Sequence, residues 1–151
     1  MTTIQSSYSN LIRLLRTLDW FPPLIARLVT GTIFLESGWG KLHNIEKVVG
    51  YFTSLGLPAP LFQAHLVAYT EFLGGAFLIL GLATRFAAIP LSITMIVALL
   101  TAKRSDISSI SDLFSLSEFL YILLFIYLII EGAGKISLDR IFLRKLEKKS
   151  Q

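Results

Sequence analysis

Four long apolar runs constrain this chain more than any other feature. They are PPLIARLVTGTIFLESGWG (22–40), PLFQAHLVAYTEFLGGAFLILGL (60–82), RFAAIPLSITMIVALLTA (85–102) and LFSLSEFLYILLFIYLIIEG (113–132). Each comes close to the ~20 residues a helix needs to cross ~30 Å of hydrocarbon. A crossing segment of this kind is helical, because only then does each backbone group find its partner within the segment. Of the 151 residues, 54% are hydrophobic and 16% charged, against about a quarter charged in soluble domains. A chain this small has too much surface for its volume to hide so much apolar side chain from water. The sequence therefore predicts an all-α integral membrane protein, a four-helix transmembrane bundle forming a single unit over residues 1–151.

The remaining segments complete this picture. Leu11, Leu14, Leu15 and Leu18 share a face, which predicts a helix lying on the membrane surface over about residues 8–19. In HNIEKVVGYFTSLGLPAP, between the first two runs, Ile45, Val48, Val49, Phe52 and Leu55 recur at helical spacing. Asn44 suits the start of that helix and Gly56 its end. This predicts a short amphipathic helix on the outer side. The turn between runs two and three is very short, so those helices should be antiparallel neighbours.

Lysines and arginines set the orientation. Arg13, Arg16, Arg85, Lys135, Arg140, Arg144, Lys145, Lys148 and Lys149 fall on one side, nine in all, and Lys41, Lys47, Lys103 and Arg104 on the other. The positive-inside rule places both termini, with the basic tail 135–151, in the cytoplasm. In a membrane protein that tail sets topology and does not indicate nucleic acid. The chain has no cysteine, which removes disulfides, thiol nucleophiles and Cys-ligated metals. His43 and His65 lack the spacing of a metal site, so no metal is expected.

Ionisable groups inside the runs are the candidate site residues, because each costs at least ~2.5 kcal/mol at the bilayer centre on insertion scales. On the first run, Arg27, Gly31, Phe34, Gly38 and Lys41 fall on one stripe at about 100° per residue. Its glycines invite close helix approach. Glu36 lies on the opposite side, so it must find a partner on another helix, reach the interface or be protonated. On the second run Glu71 shares a face with Ala64, Ala68 and Gly75, beside Gly74. Glu71 has two readings. It pairs with an Arg or Lys of a neighbouring helix and only fixes packing, or it lines a polar pocket and meets a ligand. His65, toward the outer surface, could join it. Arg85 and Glu131 are expected to form an inner-edge ion pair, Glu118 to snorkel, and Tyr121, Phe125 and Tyr127 to pack the bundle or mark the interface.

Arg27, Gly31 and Phe34, followed by GWGKL (38–42), GLPAP (56–60), EFLGGAFLILGLATR (71–85) and GAGKISLD (132–139), resemble the DoxX family of small bacterial membrane proteins. The resemblance spans about residues 22–139 and rests on the order and spacing of these motifs. It implies a four-helix protein of the bacterial inner membrane, related to a subunit of a thiosulfate:quinone oxidoreductase. Arg27, Gly38, Lys41, Glu71, Gly75 and Arg85 occupy family motif positions. Glu36 stands where an apolar or small residue is expected. Ala133 and Lys135 replace the proline and arginine of the family's closing segment.

Two functions follow as expectations. In one, the protein is redox-associated: it binds a quinone or similar lipophilic ligand between runs one, two and four, or serves a membrane or soluble oxidoreductase, with Arg27, Lys41, Glu71, Glu36 and His65 as ligand-binding candidates. In the other, it is a non-enzymatic subunit or scaffold whose charges only specify helix packing and partner. Catalysis, substrate and oligomeric state stay open.

Overall fold

The computed structural model describes residues 8, 12, 13, 15–141 and 145. Six α-helices are described: α1 (Phe21–His43), α2 (Ile45–Ser54), α3 (Pro60–Leu80), α4 (Thr84–Leu100), α5 (Ile110–Ser115) and α6 (Ser117–Glu131), with a 3-10 turn at Arg104–Asp106. No strand occurs among the described residues. Residues 8, 12, 13 and 15–17 are helical before a turn at 18–20, and so are 138–141 and 145; residues 9–11 and 14 of the expected surface helix, and 142–144 and 146–151 of the basic tail, lie outside the described residues.

Local chemistry explains most helix ends. Pro22 and Pro60 stand in the first turns of α1 and α3, where the missing N–H has no helical partner to lose. Gly81 ends α3 at φ 65°, with Leu82 N–H donating to Phe77 O at 2.9 Å; this is the left-handed stop that glycine tolerates best. α6 begins later than the expected run at 113. Leu116 is extended (φ −76°, ψ 134°) and separates it from α5. The cause is polar. Ser109 and Asp112 form a reciprocal capping box that starts α5, and Ser115 Oγ–H donates to Asp112 O at 2.7 Å, competing with helix continuation.

α1 packs most closely along α3, and α4 along α6, with α3 and α4 touching as antiparallel neighbours. Glycines set the first contact. A Cβ on Gly38 would collide with the Phe72 backbone, and one on Gly75 with the Leu35 N–H and Gly31 O. Gly31 faces Gly75 O and Ile79, and Gly74 instead receives the Leu91 side chain of α4. Small residues here let two backbones meet, the packing mode that works without a hydrophobic drive between helices. The core joins Phe34, Leu78, Leu91, Met95, Phe125 and Leu128, with the Phe34 ring edge-on to Tyr121 and Phe125 at 5.3 and 5.1 Å.

The outside is as apolar as the inside. Leu28, Val29, Leu66, Leu73, Phe77, Phe86, Ile93 and Ile130 are all exposed. A continuous apolar exterior of this extent marks a surface not meant for water. α3 is long and apolar enough to cross a membrane. α1 is longer but carries Arg27, Glu36 and Lys41, while α4 and α6 have 17 and 15 residues.

Candidate functional site

The molecule has two polar ends. One carries α2 and is here the lid end; at the other α3 turns into α4, the clasp end.

At the lid end, the last turns of α1 bring Lys41 toward mid-α3. Its ammonium pairs with Glu71 Oε2 and donates to Ser37 Oγ at 2.6 Å. Glu71 is 3% exposed and Lys41 26%. A carboxylate so enclosed needs a cation and a hydrogen bond beside it, and this pair supplies both. Lys41 has three N–H donors, two of them used by these contacts. Glu71 Oε1 has no protein partner among the described residues.

The pair borders a cavity of about 290 Å³. Ile33, Phe34, Val67 and Met95 wall it with apolar surface, and Tyr51 and Phe52 of α2, with Leu55 and Leu57 beyond it, cover it. Thr94 and Ala98 of α4, Thr101 just past its end, and Glu118 and Tyr121 of α6 close the far side. The cavity therefore draws on the third apolar run as well as the first, second and fourth. α2 has no fully buried residue. It lies on α3 and α1 as a cover, bounded by Asn44 and by Gly56 at φ 70°.

At the clasp end, Arg27 is 2% exposed. It donates to Ala133 O at 2.7 Å and Ile136 O at 2.9 Å, two carbonyls left free where α6 has ended. Its Nε has no partner among the described residues. The following Asp139 accepts from the N–H groups of Ala83 (2.6 Å) and Thr84 (3.1 Å), and its own N–H donates to Gly81 O at 3.0 Å. Asp139 thus caps the start of α4 from a distant segment and holds Ala83 in its left-handed conformation, φ 47°. Lys135 meets Asp19 at 2.5 Å. GAGKISLD is therefore a clasp tying α1 to the α3–α4 turn.

Of the five residues singled out as ligand-binding candidates, the structure brings Lys41 and Glu71 together. Arg27 is occupied at the other end. Glu36 is exposed on the outer face of α1 with no hydrogen bond to the described residues. His65 is half-buried outside the cavity lining, its Nδ1 2.9 Å from Leu61 O and its ring stacked on Tyr69. The expected ion pair of Arg85 and Glu131 takes another form: Arg85 reaches the Glu131 main-chain oxygen at 3.5 Å. That carbonyl lies at the C-terminus of α6, where the partial negative charge attracts a cation. Glu118, expected only to snorkel, lines the cavity, and Ser37 and Thr94 join it without having been singled out. Of the latter two, only Ser37 could have been found, one turn before Lys41 on the same helix.

The fold and site define a small all-helical protein with an apolar exterior, a lidded cavity and a buried acid–base pair. The chain belongs to the DoxX family, whose model matches residues 23–104. It is 34% identical over 118 residues to CatD of Bacillus subtilis (strain 168), whose name carries a provisional oxidoreductase label; the match covers 77% of this chain and 83% of that one. It is 31% identical over 126 residues to the inner membrane protein YqjF of Escherichia coli (strain K12), covering 81% and 92%. It is 38% identical over 85 residues to the uncharacterised membrane protein Rv3486 of Mycobacterium tuberculosis (strain ATCC 25618 / H37Rv), covering 54% and 52%. No solved structure matches the chain.

Proposed function

We propose that the protein is a multi-pass protein of the bacterial inner membrane that binds a quinone or similar lipophilic ligand in the lidded cavity, in the service of a membrane oxidoreductase. In this reading α1, α3, α4 and α6 cross the bilayer as a single four-helix unit. Both termini are cytoplasmic, and the lid end faces outward. The names of the inner-membrane relatives and the provisional label of CatD support the setting.

The carrying observation is the unused hydrogen-bonding capacity at the Lys41–Glu71 pair. One ammonium donor and one carboxylate oxygen stand side by side at an apolar cavity. A ligand with an apolar body and a small polar head carrying carbonyl or hydroxyl oxygens satisfies both. This is the usual make-up of a small-molecule site, mostly apolar with a few placed polar groups. A quinone ring fits that description: a carbonyl accepts from Lys41, and a ring hydroxyl of the reduced form donates to Glu71.

A second reading is favoured by a specific observation. Glu71 already has its cation, so the pair can be complete in itself, and the protein is then a non-enzymatic subunit whose charges fix packing. Binding of a short-chain ubiquinone analogue to the purified protein in nanodiscs separates the two. The ligand reading expects saturable binding that weakens at least tenfold in Glu71→Gln. Equal binding in both proteins, or none in either, refutes it.

A further inference from the structure

The cavity holds more negative charge than its ion pair can balance. Lys41 and Glu71 cancel, leaving Glu118 as a second carboxylate in the lining. Its recorded partner is the Ser117 hydroxyl at 3.3 Å, and no cation pairs with it among the described residues. Lys103 is near in sequence to the α4 wall, but it is engaged by Asp106 at 3.4 Å and lies outside the lining. Glu118 stands in the first turn of the 15-residue α6, where the helix amides favour an anion. The other polar lining groups, Ser37, Gln63, Thr94, Thr101 and Tyr121 among them, are uncharged residue types.

From this imbalance we propose that the cavity selects ligands by charge and takes lipophilic cations, such as a protonated amine on an alkyl or aryl body, in preference to anions. This rests on the reading of the cavity as a binding site and deepens it. The ligand's cationic head lies against Glu118 and its body against Phe34, Val67 and Met95. Walls of low dielectric strengthen the attraction well beyond its value in water. The same field repels carboxylates and other anions of equal chain length. A neutral head binds between these extremes, through Lys41 and Glu71 alone.

The test uses the full chain in zwitterionic nanodiscs at pH 7 and three probes of one chain length: decylamine, decanol and decanoate. Calorimetric titration gives each affinity, with empty nanodiscs subtracted. The wild-type protein, Glu118→Gln and Glu118→Asp are compared, so membrane partitioning of the probes cancels. The expected result is an amine-to-alkanoate preference that falls at least tenfold, about 1.4 kcal/mol, in Glu118→Gln and is kept in Glu118→Asp. Decanol affinity stays level across all three and reports an intact cavity. An unchanged preference in Glu118→Gln, with decanol still bound, overturns charge selection and leaves the binding site standing. No binding of any probe overturns both.

Discussion

Replacing Lys41 with methionine tests the site most directly. The change keeps the length and apolar stem of the side chain but strands Glu71, 3% exposed, without its cation. Breaking a buried pair from one side costs about 3–5 kcal/mol. Leaving a charge in a membrane helix costs about 2.5–3.5 kcal/mol on insertion scales. Both routes agree near 3 kcal/mol for Lys41→Met. Glu71→Gln is milder, because Lys41 is a quarter exposed and its long stem can carry the ammonium toward the interface; about 1 kcal/mol is expected. The double variant has no stranded charge and should also lose only about 1 kcal/mol. The cycle then gives a coupling of about 3 kcal/mol, far above the ~0.5 kcal/mol within which independent sites add. Unfolding by sodium dodecyl sulfate in mixed micelles, followed by far-UV circular dichroism, measures all four proteins. An additive double variant would falsify the pairing of these two groups as a structural unit.

Three further outcomes are expected. Gly75→Ala places a methyl against the Leu35 and Gly31 backbones, and should cost about 1–3 kcal/mol as overpacking in the same unfolding assay; Gly40→Ala, with open space around it, is the neutral control. Asp139→Ala removes the cap on α4 and should cost about 0.5–2 kcal/mol, with faster amide exchange at Ala83 and Thr84, the two N–H groups it now accepts from. Asp112 is held below the usual carboxylate range, first by the Ser109 side chain and then by the N–H groups of Ser108 and Ser109. Because the folded value is depressed, its contribution is present above the unfolded value and lost as pH falls through the folded one. Amide protection at Ser108 and Ser109 should therefore decline in acid below about pH 4, and Asp112→Asn should abolish that pH dependence.

The helices were legible because hydrophobic runs and proline or glycine stops are local signals. The amphipathic α2 showed itself by its spacing, and the glycines recurring on one stripe showed that α1 packs closely on some helix, though not that the partner is α3. The break before α6 was not legible. The apolar pattern runs through Leu116, and only the competing hydroxyls of Ser109 and Ser115 interrupt it. The acid–base pair was half legible. Glu71 announced a need for a cation, but the stripe that grouped Lys41 with Arg27 did not say which of the two supplies it. Lys41 and Glu71 lie 30 residues apart, and Arg27 reaches carbonyls 106 and 109 residues away. No periodicity within one helix encodes such meetings. Glu36 has an answer in part: it stands on the outer face of α1 beside exposed Ile33 and Trp39, with no described group to pair with.

The clasp orders the protein's manufacture. Arg27 belongs to α1, and the carbonyls that satisfy it belong to residues 133 and 136, made more than a hundred residues later. Asp139, later still, completes the start of α4. Until those residues are made, α1 holds its guanidinium without these partners and α4 begins without its Asp139 cap. A nascent chain halted at Glu131 has α1 to α6 but neither closure.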